Sequence, residues 1–83
     1  MLYFYRMTAV RLTEKEIHKI LYGIKSLTAS QRQLVQDALL ALKSDGGMYR
    51  QEFERMLRDL RKEYAISELD RQNLEEAFQQ YFE

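Results

Sequence analysis

His18 is the sole histidine of an 83-residue chain that has no cysteine, and it is the first place where metal or acid-base chemistry could reside. A metal there would have to recruit carboxylates such as Glu14 or Glu16, whose register within one helical turn only partly suits a shared ion. A surface histidine without a ligand role is therefore expected. Nor does His18 belong to a nucleophilic machine. No serine stands in a nucleophile-elbow context, and no glycine-rich phosphate loop exists, Gly46-Gly47 being a bend rather than a cradle. The thirteen Asp and Glu residues decorate charged helical surface, where carboxylate pairs arise without catalytic meaning. The sequence predicts no catalytic residue, no metal and no cofactor, and a non-enzymatic protein is the expectation.

Recognition of a partner has more to build on. Ten aromatics, six Tyr and four Phe, serve this short chain. Tyr and Phe left at a surface anchor other chains well, because one side chain supplies large area at small entropic cost. Tyr3, Phe4, Tyr5, Tyr22, Tyr81 and Phe82 are the candidate partner-binding residues. The expected partner is another protein chain, with a second copy in a homodimer as the first choice. The expected function is a small helical interaction or adaptor module in the cytoplasm.

Nucleic acid is the alternative. A helix at about 29–43, a four-residue Gly-containing turn and a helix at about 48–64 match the outline of a helix-turn-helix. Its contacts would come from Tyr49, Arg50, Gln51, Arg55 and Arg58. Glu52, Glu54 and Asp59 stand among them, and thirteen basic residues cancel thirteen acidic ones, so no whole-domain field draws in a polyanion. The charge is uneven along the chain. Residues 1–66 hold twelve Lys/Arg against eight Asp/Glu, a balance of +4, and residues 67–83 hold one against five, a balance of −4. Complementarity within the fold or across a dimer is the simplest use of that split, with a partner-binding acidic face as the other.

Ser44 to Phe53 resembles, over about ten residues, the calcium-binding helix-loop-helix family: Asp45-Gly46, apolar Met48 and then Glu52-Phe53 echo the second half of its loop and the start of the exiting helix. In that alignment the first and third ligand positions fall on Ala41 and Lys43, which cannot coordinate a hard cation. The segment is read as a glycine turn between helices, without an ion.

The elements that must position these residues are helical. The chain lacks proline and has only three glycines, so helices with short connections are favoured. The fold expected is an all-α bundle of four small helices, preceded by an extended aromatic arm over residues 1–12, with residues 13–83 as a single helical domain. Leu2-Tyr3-Phe4-Tyr5 is too soon interrupted by Arg6 to be a membrane span or a targeting segment. No membrane partner is expected.

Thr13 with Glu16 forms a capping box that starts a helix at about 14–26, with Ile17, Ile20, Leu21, Ile24 and Leu27 as its apolar stripe. Gly23 inside that stripe suggests close approach of a second helix. Thr28 with Gln31 repeats the cap and starts the second helix, with Leu34, Val35, Ala38, Leu39 and Leu42 inward. Tyr49, Phe53, Met56, Leu57, Leu60 and Tyr64 recur at three- and four-residue steps and give the third helix its core face. One helix running on to the C-terminus would keep this rhythm but seat two polar residues in the seam. A break at Ala65-Ile66-Ser67 is preferred, with Ser67 and Asp70 starting a fourth helix at about 68–82. Its inward stripe is Leu69, Leu74, Ala77, Phe78 and Tyr81.

Overall fold

A computed structural model of the chain describes residues 10–42 and 47–82. Tyr3, Phe4 and Tyr5 lie outside the described residues, as do Lys43 to Gly46. Four helices carry the fold: α1 (Glu14–Tyr22), α2 (Ala29–Leu42), α3 (Arg50–Lys62) and α4 (Glu68–Phe82). The protein is an all-α bundle, and among the described residues no helix is long and apolar enough to cross a membrane.

Three of the four starts are built by reciprocal capping. The Glu16 amide donates to Thr13 Oγ1 at 3.1 Å while the Thr13 amide donates to Glu16 Oε1 at 2.8 Å. Thr28 and Gln31 make the same pair at 3.1 and 2.9 Å, and Ser67 and Asp70 at 3.1 and 3.0 Å. Each box satisfies two amides that the first helical turn leaves without partners. α3 has no such box. Its N-cap, Tyr49, is extended and makes no side-chain cap bond.

α3 is positioned instead by the segment before it. Val10 and Met48 form an isolated antiparallel bridge, in which the Val10 amide donates to the Met48 carbonyl at 2.7 Å and the Met48 amide returns the bond at 2.8 Å. Gly47, at φ 101°, makes the left-handed step that delivers Met48 to that pairing. Met48 and Leu12 are buried beside the bridge. Val10 and Leu12, expected within the arm, are thus core while Arg11 between them is exposed, and α3 begins at Arg50 rather than at about residue 48.

Each helix packs on two others, in the cyclic order α1, α2, α3, α4 and back to α1. Ile17, Leu21, Val35, Leu39, Leu57, Leu74 and Phe78 lose essentially all solvent contact in the shared interior. Phe53 sits 5.2 Å, centroid to centroid, from both Phe78 and Phe82. These tilted ring contacts join α3 to the outer end of α4.

The structure departs from the periodic reading in several places. α1 stops at Tyr22 with Gly23 as its C-cap, so Ile24 and Leu27 reach the core from a loop. A Cβ on Gly23 would meet only the Ile20 carbonyl, at 3.4 Å. Its role is to end a helix rather than to admit another. Leu34 and Leu69, assigned to inward stripes, are exposed, because each lies at the edge of its helix's apolar arc, beyond the reach of a neighbour. Tyr64 is 94% exposed. There the chain turns left-handed at φ 61°, and the Tyr64 amide bonds the Arg61 carbonyl while the Ala65 amide bonds that of Leu60. This is a Schellman ending with tyrosine where glycine is usual, and it swings the ring away from the seam. Ile66 is buried beyond the turn, which fixes the break between α3 and α4.

Candidate interaction face on α1 and α2

Lys15, His18, Lys19 and Tyr22 recur at three- and four-residue steps along α1, on the side away from buried Ile17 and Leu21, and all four are exposed. Helical geometry alone places them on one face. The neighbouring helix then organises it. His18 Nδ1 lies 3.2 Å from Gln36 Oε1 on α2, and the His18 ring stacks on that of Tyr22 with centroids 5.5 Å apart. The Arg32 guanidinium, from the first turns of α2, lies over the Tyr22 ring at 5.0 Å. A cation over an aromatic face is attracted by the ring quadrupole.

Tyr22 is thereby an unusual surface residue, 66% exposed and yet held by two neighbours. The two contacts restrict a ring that docking would otherwise have to immobilise on its own. Arg32 carries a second irregularity. Its Nε is buried and meets no acceptor among the described residues, a condition that costs about 1–3 kcal/mol for a donor left without a partner. Sequence reasoning found Tyr22 as an aromatic but missed Arg32, because the contact joins residues ten apart across a loop whose path the sequence does not spell out.

The other candidates are placed differently. Phe82 is half-buried and packs against the core on Phe53. Tyr81 lies beside Phe78 at 6.4 Å and is partly exposed. Neither joins the Tyr22 cluster. Of the nucleic-acid candidates, Gln51, Arg55 and Arg58 share the solvent side of α3 opposite Phe53 and Leu57. Arg50 stands apart from them with Glu54 at 3.7 Å, and Tyr49 is the exposed N-cap. α2 as described ends at Leu42, and residues 47–49 are non-helical. α3 therefore does not start at about residue 48 as expected for the helix-turn-helix, since Met48 is committed to Val10 instead.

The acidic last segment is largely engaged within the fold. Arg61 Nε meets Glu68 Oε1 at 2.5 Å across the α3–α4 turn, and Arg71 holds Glu68 at 2.6 Å and also Glu75. The hydrogen bond from Arg71 is the main reason that the Glu68 carboxyl is pulled down to about 2. These groups line an open cleft between α3 and α4 whose basic and acidic members balance, so it has no preference for ligands of either sign. Among the described residues no cluster of His, Cys, Asp or Glu could hold a metal ion. Ala41, at the first ligand position of the calcium-loop alignment, lies inside α2.

No known family model matches this chain, and no curated protein or solved structure matches it either.

Proposed function

We propose that this chain is a small non-enzymatic interaction module that docks another protein chain through the α1–α2 face, with Tyr22 as the anchor. The observation that carries the reading is the fixed yet exposed Tyr22 ring, stacked by His18 and covered by Arg32. Tyr and Arg are the residue types that most often dominate binding energy when they are ordered before docking. Self-association through Tyr3, Phe4 and Tyr5 remains part of the proposal but rests on residues outside those described. A cytoplasmic setting is consistent with a chain that has no cysteine to oxidise.

A DNA-binding use of α2 and α3 has less behind it, given that Met48, just before α3, is bridged to Val10 and that acidic residues alternate with Arg50, Arg55 and Arg58. A photo-reactive phenylalanine analogue at position 22, with position 51 as the control, tests the choice in a lysate of the native cell. A protein adduct at 22 that is absent at 51 supports the reading. Adducts at 51 alone, or to nucleic acid alone, overturn it.

A further inference from the structure

We infer that the α1–α2 face takes an acidic segment of a different protein, with a carboxylate seated against Arg32; this rests on the interaction reading above and names its partner by chemistry. Residues 17–36 contain Lys19, Lys25, Arg32 and His18 and not one Asp or Glu. None of Lys19, Lys25 and Arg32 has a carboxylate partner among the described residues. Between Glu16 and Asp37 the chain thus carries cations and no carboxylate, with Glu76 of α4 lining the cleft beside Lys25, and Tyr22 stands within that stretch. Such segregation selects a partner of opposite sign and disfavours a like-charged one.

Arg32 sharpens the choice: its guanidinium has no carboxylate partner among the described residues, and a carboxylate gives a charge-assisted bond about twice as strong as a neutral one. The Tyr22 ring is already engaged by His18 and Arg32, so less of it is left for a stacked base. A second copy is also a poor match. Glu68 and Glu75 of α4 are already held by Arg61 and Arg71, Asp70 is buried, Glu76 lines the cleft beside Lys25 of its own chain, and the carboxylates of α3 alternate with arginines.

The test is a titration of the isotope-labelled full chain with a twelve-residue polyglutamate peptide, followed by amide chemical shifts, with a sixteen-base-pair duplex as a second arm. The expected result is shifts at His18, Tyr22, Lys25 and Arg32, with Arg55 and Arg58 still. Arg32→Gln and Tyr22→Ala should each weaken binding about tenfold or more, and Arg58→Gln should leave it unchanged, all with wild-type helical circular dichroism. Peptide binding on α3, binding indifferent to Arg32→Gln, binding of the duplex alone, or no peptide binding would each overturn the acidic-partner inference. Concentration-dependent shifts on the α1–α2 face without peptide binding would overturn it in favour of a second copy while leaving the interaction reading intact. Absence of both would remove the two together.

Discussion

Ser26 and Asn73, 47 residues apart in the chain, share a hydrogen bond of 3.0 Å from Asn73 Nδ2 to Ser26 Oγ. The bond pins the α1–α2 loop, which follows Tyr22, to the start of α4. Ser26 also hydrogen-bonds the Asp70 carboxyl, which accepts from the Ser67 amide as well. One small polar group of four side chains thus couples the base of the interaction face to the cap of the last helix.

Asp70 is the centre of that group and only 3% exposed. Asp70→Ala removes the capping box and strands the groups that faced it, so a loss of about 1–2 kcal/mol is expected. Urea unfolding followed by circular dichroism reads it. A midpoint within error of wild type would show that water replaces the carboxylate at no cost.

Acid should weaken the same junction. Burial pushes the Asp70 carboxyl up, but hydrogen bonds from Ser26 and Ser67 outweigh it and leave the group below its ordinary value. A carboxyl lowered on folding contributes fully above its unfolded value, about 3.9, and the contribution is lost as pH falls through the lowered folded value. Glu68, held down to about 2 mainly by Arg71, acts in the same direction from the exposed surface. The urea midpoint should stay level down to about pH 5 and fall below about pH 4, less steeply in Asp70→Asn. A midpoint that rises on acidification contradicts this account.

Tyr64 offers a change in the opposite direction. A tyrosine in the left-handed region costs about 1–2 kcal/mol, and glycine returns roughly half of the relief through its freer unfolded chain. Tyr64→Gly should therefore stabilise the fold by about 0.5–1 kcal/mol, raising Tm by a few degrees. Tyr64→Val, β-branched at the same φ, should lower it. A lower Tm for the glycine variant would mean that the exposed ring makes contacts that the structure does not show.

Phe53 tests the core, since it joins α3 to Phe78 and Phe82. Phe53→Ala should cost about 3–5 kcal/mol, a large share of the roughly 4–12 kcal/mol available to a chain of this size. Thermal melts should show a broad loss of helicity well below the wild-type transition, whereas Gln51→Ala on the solvent side should leave the melt in place.

The features that the sequence made legible are those set by neighbours within one turn. Thr13 with Glu16, Thr28 with Gln31 and Ser67 with Asp70 are local hydrogen-bond chemistry, and all three helix starts fall where that chemistry places them. The break before Ser67 follows from the same logic. Val10 with Met48 and Tyr22 with Arg32 were not legible, because each depends on a loop path that no local propensity encodes. Tyr64 misled for a related reason: its three-four spacing extends the α3 stripe, and only the backbone turn at its own Cα removes it. Leu34 and Leu69 show that periodicity identifies a face but not how far a neighbour reaches across it.

The Val10–Met48 bridge closes a circuit of 38 residues that contains all of α1 and α2. Tying such ends together in an otherwise open chain costs about 3 kcal/mol of loop-closure entropy, and two backbone hydrogen bonds return a net of only about 1 kcal/mol each. The two bonds alone therefore do not hold the latch closed: the burial of Val10, Leu12 and Met48 against the helices inside the circuit makes up the difference, so the starting point of α3 depends on the packing of α1 and α2.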